Sequence, residues 1–171
     1  MRTQPDLHEL LALFPGSPLH AQVIEAQEVP EPYHGLLVHE HHMTVTVEAY
    51  HGGPVDVRIL RQRHDPPWYA REILLLHRAT RRIVQSGIVR LDLRLLSPQV
   101  TEAILRGDNP LGRILIQADV LRRIELAELL YLPPSPRLRE WFGTDKPCYG
   151  RLALIHCNES PAVELLEVVA P

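Results

Sequence analysis

The chain has 171 residues, 45% hydrophobic and 23% charged, with a net charge of -3. That suits one domain with a sizeable core and gives no general pull toward nucleic acid or an anionic membrane. No apolar run is long enough to span a bilayer, and the start lacks a basic-then-apolar leader, so a cytoplasmic protein is expected.

In chain order, residues 1–35 open with a short helical pattern of Leu7, Leu10, Leu11, Leu13 and Phe14, stopped by Pro15-Gly16. Pro18, Pro30 and Pro32 then mark an extended connector without a catalytic signature, expected to pack across the domain. His39, Glu40, His41 and His42 invite a metal reading, since two histidines and a carboxylate could reach one ion. They match neither the zincin nor the finger spacing, and no second ligand cluster follows, so solvated or capping histidines are expected. Met43-Thr44-Val45-Thr46-Val47 alternates with β-branched residues and locally reads as strand, broken by His51-Gly52-Gly53-Pro54. Residues 55–63 alternate again, with Val55, Val57 and Ile59 on one side.

Residues 68–76 carry two charges inside an apolar strand. Tyr69, Arg71, Ile73 and Leu75 share one face and Glu72 takes the other. Burying a guanidinium costs several kcal/mol unless a partner meets it well. Its planar fork suits a carboxylate, from this protein or from solution; otherwise Arg71 snorkels near a strand end. The short turns around this strand favour antiparallel neighbours. Residues 82–95 read as a further strand or pair, bent near Ser86-Gly87. Here Val89, Leu91, Leu93 and Leu95 lie on one face; Arg90, Asp92 and Arg94 suggest that the other is wet. Ser97-Pro98 opens a helix ended by Arg106-Gly107-Asp108, and Asn109-Pro110 opens the next with Asn as cap. Gly112 in its first turn needs a reason, either close backbone approach or ligand access to free N–H groups. Residues 120–131 and 149–157 read as strands joined by a Pro-rich loop. Cys148 and Cys157 show no CxxC spacing, so free thiols are expected. In the last strand, residues 162–169, Glu164 and Glu167 are three apart and fall on opposite faces.

Three features stand in register: Trp68-Tyr69-Ala70-Arg71-Glu72-Ile73-Leu74-Leu75, Asn109-Pro110-Leu111-Gly112-Arg113, and Leu166-Glu167-Val168-Val169-Ala170-Pro171. With Tyr149-Gly150-Arg151, they make residues 43–171 similar to the chorismate lyase (chorismate–pyruvate lyase) family. That resemblance implies an α+β fold: a single antiparallel sheet of about six strands, with helices on one side and helical flaps over a buried pocket. Residues 1–171 would form one such domain, with 1–35 packed on it. It also implies a helical flap at 43–50 where local propensity favours strand, and helix is the expectation taken here.

For chemistry, the resemblance implies elimination of the enolpyruvyl group of chorismate as pyruvate, leaving 4-hydroxybenzoate, although the hydroxybenzoate isomer stays open. Arg71 would hold the ring carboxylate with the backbone N–H of Leu111, Gly112 lying in the same turn. Glu167 and the backbone N–H of Met43 would hold the hydroxyl end, with Glu167 able to move a proton. Neither cofactor nor metal is implied. The partners would be chorismate and hydroxybenzoate, without nucleic acid or membrane, in a monomer or small homo-oligomer. Two departures stand out. The histidine-rich stretch at 39–42 resembles a longer branch of the family. The run after Pro161 differs by about one residue, which keeps Glu164 as a rival to Glu167. The alternative is a non-catalytic domain binding an aromatic carboxylate, related to the UTRA effector-binding domains of bacterial repressors. Against it, nothing before residue 35 leaves room for a DNA-binding domain.

Overall fold

A computed structural model of the chain describes residues 4–171. Among the described residues, seven antiparallel strands make one sheet: β1 Gln22–Ile24, β2 Val55–Asp65, β3 Trp68–His77, β4 Ile83–Asp92, β5 Arg122–Leu132, β6 Cys148–Cys157 and β7 Ser160–Val169. Their order is β1-β5-β6-β7-β4-β3-β2, so the C-terminal strand lies in the middle between β4 and β6. The helices are α1 Leu7–Ala12, α2 Tyr33–Leu37, α3 Met43–His51, α4 Pro98–Arg106, α5 Leu111–Gln117 and α6 Pro136–Phe142. The seventh strand is β1, a three-residue edge from within the connector paired to β5. Nothing in so short a run announces a strand.

Helices α2 to α5 lie over one face. There Tyr69, Val89, Leu165 and Ile155 pack beneath α4 and α5, while Ile73, Leu75 and Val169 pack beneath α2 and α3. The first residues of α3 and α5 come together over the centre of this face. Residues 43–51 are helical despite their β-branched side chains. Met43 and Val47, one turn apart, are both buried, and Gly52 ends the helix with φ 71°. Glu48 accepts from Val55 N at 2.9 Å and ion-pairs Arg113, tying α3 to β2 and α5. Tertiary burial here outweighs local propensity.

The opposite face is not wet, which corrects the expectation from Arg90, Asp92 and Arg94. Leu10 and Phe14 from the N-terminal segment, with Leu138 and Trp141 of α6, pack there on Leu74, Ile88 and Leu166. Arg90 ion-pairs Glu164 and Glu9, and the buried Asp92 holds Arg94 at 2.6 Å. Arg94 itself lies in a 3-10 turn, Leu93–Leu95, beyond the strand. Alternating charge does not distinguish a solvated face from one whose charges are paired under a helix. Glu72 also faces this side. Its carboxylate accepts from Arg61 at 2.6 Å, Arg137 at 2.9 Å and Trp141 at 3.0 Å. The same two arginines hold the carbonyls of Phe14, Pro15 and Ser17, so the network clamps the N-terminal segment to the sheet.

Ser97 caps α4 as expected, accepting from Val100 N, and Gly107 ends it with φ 73°. The cap of α5 is corrected: Pro110 precedes the first helical residue, and the Asn109 side chain turns to Asp108 at 3.1 Å. Both cysteines are buried and free. Burial pushes their thiols up, to about 12 for Cys148 and about 11 for Cys157. Among the described residues no helix is long and apolar enough to cross a membrane.

Candidate functional site

Between the sheet and the starts of α3 and α5 lies a small, partly enclosed chamber of about 40 Å³. Alternation along the strands sets its floor: Arg71, Ile73 and Leu75 from β3, Gln85, Gly87 and Val89 from β4, and Leu165 and Glu167 from β7. The roof is His42, Met43 and Thr44 from the α3 end with Pro110, Leu111 and Gly112 from the α5 end. Thus Arg71, Glu167, Met43, Leu111 and Gly112, singled out across the sequence, all line one cavity. Glu164 does not. It faces the other side of the sheet, fully buried against Arg90, so only Glu167 reaches the chamber.

Arg71 is 1% exposed. Its Nη2 donates to the Asn109 carbonyl at a long 3.5 Å, and its Nε and Nη1 have no hydrogen-bond partner. Burial draws the guanidinium below its usual pKa, with the Tyr69 hydroxyl pulling the other way. Neither snorkelling nor an internal ion pair describes it: the guanidinium is buried beside the Tyr69 hydroxyl with two of its nitrogens unpartnered. In register, Arg71 stands opposite Val89 and then Leu165, whereas Glu167 stands opposite Gly87. The two are therefore two strands and two residues apart, about 12 Å between backbones from ordinary sheet spacings.

Glu167 is met by Arg151 of the neighbouring strand, whose Nε donates to Oε2 at 2.7 Å. Arg151 is fully buried, and its remaining donors reach the carbonyls of Leu37 at 3.4 Å, His39 at 2.7 Å and His41 at 3.0 Å. One guanidinium therefore fixes both the chamber's carboxylate and the strap leading into α3. In the sequence Arg151 stands out only as part of the Tyr149-Gly150-Arg151 motif. A second arginine inside an apolar strand carried the same signal as Arg71.

The histidines serve this strap. His39 Nε2 lies 2.7 Å from the Leu36 carbonyl, and its ring stacks on His41 at 5.4 Å. His42 lines the chamber, and its Nε2 accepts from Arg122 Nε at 2.7 Å. Burial first, then Arg122 and Arg151, lower His42 to about 4, so it stays neutral at ordinary pH. Among the described residues no three His, Cys, Asp or Glu side chains converge as metal ligands would. Gly112 is crowded by side chains and not by another backbone: a Cβ there would stand 2.9 Å from Thr44 Oγ1 and 3.3 Å from His42. Gln85, not singled out from the sequence, is 3% exposed, lines the chamber and leaves Oε1 without a partner. Its parity with Gly87 and Val89 was the available signal.

No family model matches the chain, and no curated protein matches it. Among solved structures, PhnF from Mycobacterium smegmatis superposes with a TM-score of 0.50 at 13% identity, over 74% of this chain and 62% of that one. The chain thus spans less than two thirds of PhnF. YydK from Bacillus subtilis, described as a possible transcriptional regulator, gives 0.48 at 9% identity, over 68% of this chain and 58% of that one. A GntR-family transcriptional regulator from Bacillus cereus gives 0.46 at 9% identity, over 68% and 92%. At these identities the PhnF likeness is one of fold, an α+β domain built on a single antiparallel sheet. The similarity to chorismate lyases rests on sequence motifs.

Proposed function

We propose that the chamber binds a small ring bearing a carboxylate, with the carboxylate against Arg71 and an oxygenated end toward Glu167. The observation that carries this reading is the pair of unpartnered nitrogens on Arg71, a buried side chain lining a small, partly enclosed cavity. A buried cation without a good partner destabilises the empty protein, and a bound carboxylate would offset that with two parallel hydrogen bonds. The met carboxylate at Glu167 sets the polarity of the other end.

On the lyase reading, the bound ring is chorismate. The ring C4 proton leaves, the bond from C3 to the enolpyruvyl oxygen breaks, and a proton returned to the enolpyruvyl methylene completes pyruvate. Atoms balance as 4-hydroxybenzoate plus pyruvate, and aromatisation drives the step. The protein's work is to orient the ring between Arg71 and Glu167, exclude water under the α3 and α5 ends, and hold or move one proton. Support for this reading is that Arg71, Leu111, Gly112, Glu167 and Met43, the residues of the family resemblance, share one cavity.

Binding without turnover is the second reading, and Glu167 favours it. One of its oxygens is committed to Arg151, which suits holding a hydroxyl better than travelling with a proton. Its ligand would be an aromatic carboxylate sensed rather than transformed.

One experiment separates them. Purified protein is mixed with chorismate while pyruvate and aromatic absorbance are followed, with 4-hydroxybenzoate titrated calorimetrically in parallel. Pyruvate released above the spontaneous rate, and lost in Arg71→Ala, supports the lyase. Hydroxybenzoate binding without pyruvate supports the sensor. Absence of both refutes the binding proposal.

A further inference from the structure

The oxygenated end of the chamber holds more hydrogen-bonding capacity than one hydroxyl uses. Glu167 keeps one oxygen after Arg151 takes the other. Beside it stands Gln85, on the adjacent strand and the same face: Glu167 is opposite Gly87, and Gln85 is two residues further along β4, opposite Val169. Such diagonal neighbours lie about 7–8 Å apart at the backbone, within joint reach of one small ligand. Arg71 is opposite Val89, four residues from Gln85, so Gln85 lies at the end remote from the guanidinium.

Gln85 is 3% exposed and its Oε1 has no partner. Leaving a buried amide group unmet costs about 1–3 kcal/mol, whereas a leucine would fill the same strand position without that cost. An amide carries both an acceptor and donors, and which atom points inward is interchangeable at little cost in shape. It can therefore take either a hydroxyl or an ether oxygen.

Resting on the carboxylate-binding reading above, we propose that Gln85 is a specificity-determining residue that takes a second ring oxygen, adjacent to the one held by Glu167. The chamber then prefers a ring carboxylate with two neighbouring oxygens over one with a single oxygen. An enolpyruvyl ether next to a ring hydroxyl meets this description, and so does a vicinal diol.

The test is calorimetric titration of 4-hydroxybenzoate and 3,4-dihydroxybenzoate into the wild-type protein and Gln85→Leu, with the melting temperature of each apo protein. Wild type should bind the dihydroxy acid at least tenfold more tightly. Gln85→Leu should lose that advantage, hold the monohydroxy acid within about threefold, and melt no lower than wild type. Equal affinities in wild type overturn the inference without needing the variant, as does an advantage that survives Gln85→Leu. A variant that melts well below wild type also overturns it, since the amide would then have a partner within the fold. If wild type binds neither acid, it is the carboxylate-binding reading that fails.

Discussion

Replacing Arg71 with methionine should make the empty protein more stable while removing its ligand response. The wild-type side chain is 1% exposed with Nε and Nη1 unpartnered and one long contact to the Asn109 carbonyl. Unmet buried donors cost about 1–3 kcal/mol each, and more when charged. Water in the chamber reduces this, since about 40 Å³ exceeds the space that one molecule needs. Methionine reaches as far as the Nε position and removes the donors, and a flexible thioether fits irregular space. The net gain expected is about 1–2 kcal/mol, or roughly 2–8 °C in Tm for a chain of this size. In wild type, a ligand at a hundred times its Kd adds about 2.7 kcal/mol, and in Arg71→Met that shift should vanish. Differential scanning calorimetry with and without 4-hydroxybenzoate measures both quantities. The reasoning is refuted if Arg71→Met melts lower than wild type or keeps the ligand shift, because Arg71 would then be a structural cation.

Arg151→Met should do the opposite. It leaves Glu167 buried without its partner and three strap carbonyls unmet, a loss of about 3–5 kcal/mol in urea unfolding, and adding Glu167→Leu should restore part of it. A third expectation concerns acid. His42 is lowered from 6.5 to about 4, so below pH 6.5 the unfolded chain takes up a proton that the folded one refuses. Stability from this residue is complete above pH 6.5 and is lost as pH falls toward about 4. Thermal melts across that window should show less of this loss in His42→Asn than in wild type.

The floor of the site was legible in sequence because strand parity is rigid. Placing Arg71 and Glu72 on opposite faces, and Glu164 opposite Glu167, needed only a period of two, and the structure places them so. The roof was less legible. Residues 43–47 carry strand formers, and only the burial of Met43 and Val47 with the Glu48–Arg113 pair explains a helix there. Asn109 had the composition of a cap, yet the turn begins two residues later with its side chain directed to Asp108. Gly112 announced a constraint without saying which, since the side chains that crowd it come from residues 42 and 44, far away in sequence. Charge was the least informative property. Arg71, Arg90 and Arg151 look alike in the chain, and only coordinates separate a free donor from a lateral ion pair and a strap anchor.

A chamber of about 40 Å³ is several times smaller than the roughly 150 Å³ that suffices for benzene. Any ring must therefore wait for the seam between the α3 and α5 ends to part, both on arrival and on departure. Capture is then timed by the breathing of the lid, whereas escape depends also on how tightly the guest is held. Two acids of different affinity should be captured at comparable speeds and differ in how fast they leave, and raising their concentration should saturate the rate of capture at the frequency of opening.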